Sequence, residues 1–241
     1  MPRLAPQLDP AALVGVMLSR VAISRAKAGR AHLYAGRLKV ATILADDVTR
    51  LGLARGTTLT RALAEAIARS AARLALRTAA FNIVNRRAIS KAALIRALTS
   101  RKHDPAQSRA LAQEFEDRGL INEQAYAEAL AHQTLRGKPA GAGLVRRKLA
   151  QRGIDRPVAE RVARAASESQ DGRARALELA RRLLRRASLA KADPLARRRR
   201  LAAGIARRGF DPSEVRYALE HALGRSSQDP EAADDAAESS D

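Results

Sequence analysis

Arg181, Arg182, Arg185 and Arg186 form two pairs at i, i+4 on one helical stretch. A guanidinium is permanently charged, and its planar donors match carboxylate and phosphate oxygens. Like charges at this spacing cost an isolated helix about 0.2–0.5 kcal/mol per pair. An anionic partner would remove that cost, and so would solvent, salt and the nearby Glu178. Both readings stay open from sequence. A second set, Arg146, Arg147, Lys148 and Arg152, lies opposite the apolar stripe of Val145 and Leu149, which points it towards a partner. Arg207 and Arg208 close a third run that begins at Arg197–Arg200. Consecutive arginines splay around a helix, so not all of this run can touch one surface. These are the candidate partner-binding residues.

Other chemistry is thin. The chain has no cysteine, which excludes disulfides, iron–sulfur clusters and thiolate zinc sites. His32, His103, His132 and His221 show no metal-ligand spacing. Residues 137–143, Gly-Lys-Pro-Ala-Gly-Ala-Gly, open onto a helix N-terminus that could hold a phosphate. The Gly-Lys lacks the preceding glycine and following Ser/Thr of a P-loop, so this stretch reads as an inter-helix connection. No nucleophile elbow or carboxylate pair is present. The expectation is a non-enzyme with no catalytic residues, cofactor or metal. Aromatics are 2% of the chain and none interleaves with the basic runs, so base stacking is poorly supported.

The element that positions the second basic set is 149–155, Leu-Ala-Gln-Arg-Gly-Ile-Asp. Gly153 suits the left-handed residue that ends a helix, and Leu149 with Ile154 is the pair that packs across a Schellman motif. Asp155 then begins the next helix. The register recurs at Gly209-Phe210-Asp211, where Asp211 and Glu214 suggest a capping box, and at Gly119-Leu120, with Asn122 as cap. Lys102 stands where a fourth glycine is expected. Asp104 to Asp155 is 51 positions and Asp155 to Asp211 is 56. Three units follow, at roughly 60–118, 119–170 and 171–225. Their middle helices carry apolar pairs at i, i+4: Leu94/Leu98, Val145/Leu149 and Leu201/Ile205. A triplet this small cannot bury its apolar face alone, so stacking of tandem three-helix repeats into an elongated, curved array is expected. Tyr126, Phe115 and Phe210 read as core, since large side chains are scarce.

Ahead of the helices, residues 29–59 form a small β-rich lead-in. Ala31–Tyr34 and Arg37–Ile43 suggest a hairpin, and Thr57–Leu59 a short strand. Residues 1–28 read as a partly disordered arm. Residues 226–241 hold six acidic residues and no basic one, and read as a disordered tail. The formal charge is +20, and without that tail 45 basic residues face 19 acidic ones. A body this basic suggests a polyanionic partner. No apolar run approaches the length of a membrane span, and the start lacks a signal-peptide core. A cytoplasmic monomer without membrane contact is expected.

With these residues in place, the chain resembles the RecX family of recombination regulators. Arg118-Gly119-Leu120-Ile121-Asn122-Glu123-Gln124-Ala125-Tyr126-Ala127-Glu128 is similar to the family's central segment, with Asn122-Glu123 where an acidic pair is usual. Residues 144–155 resemble its next segment, and Arg207-Arg208-Gly209-Phe210-Asp211 its closing repeat. The resemblance implies a mainly α protein that binds the RecA recombinase filament. It implies restraint of the filament's ATP hydrolysis, strand exchange and coprotease activity, in recombination, repair and the SOS response. Some members of the family also bind DNA, single- or double-stranded. A different reading of the same arginine-rich helices is a general DNA-binding, architectural protein.

Overall fold

The structure is a computed structural model, and it describes residues 8–25, 29–168, 171–186 and 193–224. Contacts divide the chain into two compact units: residues up to Ile89 with Ala93–Ile121, and Ser90–Ala92 with Asn122 onward. Ten α-helices and one small sheet make up the described residues, a mainly α fold with a β-containing N-terminal module.

In the first unit, strands β1 (Arg20–Ile23), β2 (Arg30–Ala35) and β3 (Leu38–Leu44) form an antiparallel sheet in that order. Alternation sends Ala31, Leu33, Ala41 and Ile43 to one buried face. The hairpin turns at Gly36-Arg37, with Gly36 at φ +57°. On the other face the Arg20 guanidinium stacks 4.0 Å from the Tyr34 ring centre. A short helix, α1 (Ala45–Arg50), follows the sheet. The long helix α2 (Arg61–Val84) then serves two cores. Its first half packs Ala64 and Ile67 beneath the sheet with Leu13, Leu18, Leu53 and Leu59. Its second half packs Leu76 and Ala80 with residues of α3 (Lys91–Thr99) and α4 (Pro105–Asp117), around a fully buried Phe115. Arg77 clamps both oxygens of Glu114 at 3.0 and 3.1 Å, tying α2 to α4.

The N-terminal arm is corrected within its described part. Ala11–Leu13 form a 3₁₀ turn, residues 15–18 exchange backbone hydrogen bonds with 56–59, and Arg20–Ile23 supply β1. So short a strand, made a strand only by its pairing with Ala31–Tyr34, gives almost no local periodicity. The strand expected at Thr57–Leu59 is an isolated bridge between Met17 and Thr58. Arg225 and the acidic tail, residues 226–241, lie outside the described residues.

In the second unit, α5 (Glu123–Arg136), α6 (Ala142–Gln151) and α7 (Arg156–Glu168) surround a core of Ala127, Ala131, Val145, Leu149, Ile154, Val162 and their neighbours. Helices α8 (Gly172–Leu184), α9 (Pro194–Arg207) and α10 (Pro212–Leu223) surround another, with Leu179, Leu201, Ile205, Phe210 and Leu219. All six members of the i, i+4 pairs on the middle helices α3, α6 and α9 are fully buried. Thus each triplet closes on its own aliphatic centre.

Helix ends follow the capping chemistry. The side chains of Asp104, Asn122, Asp171 and Asp193 each accept from the backbone N–H three residues on. Asp211 and Glu214 complete a reciprocal capping box. At the α6 terminus Gly153 stands at φ +79°, the Ile154 N–H reaches the Leu149 carbonyl at 3.1 Å, and Gly153 N–H reaches Ala150 at 2.9 Å. These are the two bonds of a Schellman motif. The same pair of bonds closes α3 through Lys102, which adopts φ +63° despite its Cβ.

Candidate interaction surface

Nine of the ten candidate cations are exposed: Arg146, Arg147, Lys148, Arg152, Arg181, Arg182, Arg185, Arg186 and Arg207. On α6 the burial of Val145 and Leu149 turns Arg146, Arg147 and Lys148 outwards. Arg152 caps this helix, its N–H shared between the Lys148 and Leu149 carbonyls. Arg147 is already engaged: its Nη2 donates to the Arg207 carbonyl at 2.5 Å. Across on α7, Glu160 pairs with Arg156 at 2.8 Å. That hydrogen bond first, then the charges of Arg156, Arg146 and Arg164, holds the Glu160 carboxyl below its usual range.

Arg208 departs from expectation. It is half-buried, with Nε donating to the Pro139 carbonyl at 2.8 Å and Nη2 to the Lys138 carbonyl at 2.6 Å. Burial, and then the neighbouring Arg175 guanidinium, lower its pKa. A side chain that spends both ends of its fork on backbone carbonyls is a structural clamp. Arg175 also donates to a backbone carbonyl, its Nη2 reaching Leu135 at the end of α5. Sequence cannot separate Arg208 from Arg207, because the partner carbonyls belong to a distant loop, at Lys138 and Pro139.

The glycine loop before α6 is also explained by packing. Gly141 N–H donates to the Arg208 carbonyl at 3.0 Å, and Gly143 N–H to the Gly209 carbonyl at 2.9 Å. A Cβ on Gly141 would strike the Gly209 carbonyl and the Phe210 backbone, and one on Gly209 would strike the Leu144 nitrogen. The donors that could cradle a phosphate are therefore occupied by the neighbouring corner. The pairing was latent in the glycines at 141, 143 and 209, but nothing local links the two segments.

The remaining cations lie on α8. Arg181, Arg182 and Arg185 line a shallow groove with Ala174, Leu177 and Glu178. Arg182 pairs with Glu178 at 2.6 Å. Among the described contacts, none joins this group to Arg147 or Arg207. The structural positions sit within the helical framework: Tyr126 is half-buried against the middle core, and Leu149, Ile154 and Phe210 are buried. Gly119 is exposed at φ +69°, and the Asp155 carbonyl accepts the Ala159 N–H at 2.9 Å. Among the described residues no group of His, Asp or Glu could hold a metal ion, and no helix is long and apolar enough to cross a membrane.

Three-helix units turned on left-handed corners, preceded by a small sheet and faced with arginine, define a helical-repeat fold. The family model for the second three-helix domain of RecX matches residues 122–162, which are α5, α6 and most of α7. A regulatory protein RecX of Chlorobium phaeobacteroides is 27% identical over 141 residues, 58% of this chain and 89% of that protein. A crystal structure of a regulatory protein RecX superposes with a TM-score of 0.70 at 17% identity, covering 85% of this chain and 98% of the other. That of RecX from Lactobacillus salivarius gives 0.55 at 16% identity, covering 63% and 97%. Residues 122–162 thus match a RecX three-helix domain, and the chain shares its fold with the solved RecX structures.

Proposed function

We propose that this protein binds the RecA recombinase filament and restrains its ATPase, strand-exchange and coprotease activities, in recombination, DNA repair and the SOS response. It acts as a cytoplasmic monomer, stoichiometrically, with no chemistry of its own. The observation that carries this reading is the outward basic face of α6, Arg146 and Lys148, inside the segment matched by the RecX family model. A cationic face of this kind suits the acidic surface of a nucleoprotein polymer, and its binding weakens with salt.

The test is a titration of recombinase-filament ATPase at two salt concentrations. Inhibition should follow occupancy of the filament and weaken at the higher salt. Arg146→Glu with Lys148→Glu should reduce it at unchanged helix content; Arg147 is spared because its hydrogen bond to Arg207 is structural. Saturating protein that leaves both ATPase and strand exchange unchanged would refute the proposal. The α8 arginines favour a second reading, direct DNA binding by an architectural protein. It requires a gel shift on bare DNA whose log affinity falls linearly with log salt.

A further inference from the structure

Strand β1 pairs with β2 along one edge, and its other edge is partnered only at the start. There Leu18 exchanges backbone hydrogen bonds with Thr57 and Gly56, at 2.9 and 2.7 Å. The pairing stops at Gly56, which stands at φ +87°. On its far side Leu53 and Arg55 stand off from β1 across an open cleft, with Val48 of α1 beside them.

The Ser24 N–H donates to the Arg30 carbonyl at 2.8 Å, which sets the phase of the β1–β2 ladder. Bonded and non-bonded pairs alternate in an antiparallel ladder. Val21 and Ile23, opposite Leu33 and Ala31, therefore turn their N–H and C=O groups to the cleft. Among the described backbone bonds none takes these groups on that side. The Val21 and Ile23 side chains lie on the core face of the sheet, yet Ile23 is 66% exposed. Arg20 points to the opposite face, over the Tyr34 ring.

Charge around the cleft is of one sign. Residues 10–45 contain six Lys and Arg and no Asp or Glu, and Arg55 is exposed on the facing wall. In α1, Asp47 is buried and paired with Arg50 and Arg73 at 2.7 Å each, and Asp46 does not line the cleft. A second copy of β1 would bring like charge to like charge. An acidic strand meets no such penalty.

We propose that the free edge of β1 docks an extended segment of a partner protein, one that alternates apolar and acidic residues and adds to the sheet as a fourth strand. The main-chain groups of Val21 and Ile23 hold it. Val48, Leu53 and the exposed Ile23 seat its apolar side chains, and Arg20 and Arg55 select acidic over basic sequences. The cleft lies wholly within the sheet module, so this docking and the recombinase reading can fail separately.

The probe is a fluorescent octapeptide of alternating valine and glutamate, titrated against the full chain by anisotropy. It should bind about tenfold more tightly than its valine–lysine counterpart, and Arg20→Glu with Arg55→Glu should reverse that order. Val21→Pro with Ile23→Pro removes the two outward donors and no bond to β2, since proline is tolerated on a sheet edge. Binding of the glutamate peptide should fall about tenfold at unchanged circular dichroism. A fully N-methylated valine–glutamate peptide, tested on the unaltered chain, should lose as much, which separates strand pairing from any harm done by the prolines. Binding that survives both N-methylation and the prolines would overturn the proposal, because charge alone would then hold the peptide. So would a concentration-dependent dimer that the prolines abolish, because the edge would then belong to a second copy.

Discussion

The corners at Gly119 and Gly209 have the same local sequence logic and opposite surroundings. Both end a helix with a glycine at positive φ, +69° and +84°, and both glycine N–H groups bond three residues back. Gly119 faces open space on the side where a Cβ would point. Gly209 is buried against the Gly143-Leu144 peptide, and its carbonyl receives the Gly143 N–H. One corner needs glycine for its backbone angle alone. The other needs it for the angle and for the close approach of a second segment. A repeated motif thus keeps its conformation while its packing role changes from one repeat to the next.

The largest expected effect comes from alanine at these two corners. Gly209→Ala combines about 1–2 kcal/mol of left-handed strain with a backbone collision worth about 1–3 kcal/mol more. Gly119→Ala meets only the strain, and in both variants a stiffer unfolded chain offsets about 0.4–1 kcal/mol. Urea unfolding should therefore show Gly209→Ala as the more damaging by about 1–3 kcal/mol, the size of the collision. Equal losses would mean that the close approach of the Gly143-Leu144 peptide to Gly209 adds nothing to stability. Next in size is Arg208→Met, which keeps much of the stem and removes the two bonds to Lys138 and Pro139. It should cost about 2 kcal/mol, against less than about 0.5 kcal/mol for Arg181→Met on the exposed face. Similar values for the two would return Arg208 to the free surface cations.

The Lys102 corner probes the same contrast from the other direction. It repeats the hydrogen bonds of the Gly153 corner with a residue that disfavours φ +63°. Lys102→Gly should raise stability by about 0.5–1 kcal/mol, because local strain is relieved with no packing to lose. A destabilised variant would show that the lysine side chain contributes a contact of its own. The smallest effect belongs to His103, beside it. Burial, and then the charge of Arg101, hold its pKa below the ordinary histidine value. The unfolded chain binds a proton first, so the contribution of His103 is complete above about pH 6.5 and declines as pH falls through the lowered value. His103→Gln should flatten that part of the stability profile, and an unchanged slope would assign it to other groups.

Much of this architecture was legible before the structure. The stops at Gly119, Gly153 and Gly209, the caps at Asn122 and Asp211, and the three i, i+4 pairs all act within a few residues of the chain. Alternation likewise placed the β2–β3 hairpin. Strand β1 was hidden because it is short, and the partners that make it a strand, Ala31–Tyr34, lie beyond the intervening turn. The candidate surface was legible only as a set of charges. Arg147, Arg207 and Arg208 look alike in sequence, yet one donates to a neighbouring helix end, one lends its carbonyl, and one is a half-buried clamp.

From the order of amino acids alone follow the beginning and end of each helix and the side of it that is apolar. Capping, left-handed turns and helical periodicity are settled by contacts a few residues apart. Folding in three dimensions added the rest: which glycines are packed against a second segment, and which arginines are spent on backbone carbonyls. Those outcomes depend on distant segments meeting at van der Waals distance, as Arg175 meets Leu135 and Arg208 meets Lys138, and no local pattern encodes such a meeting.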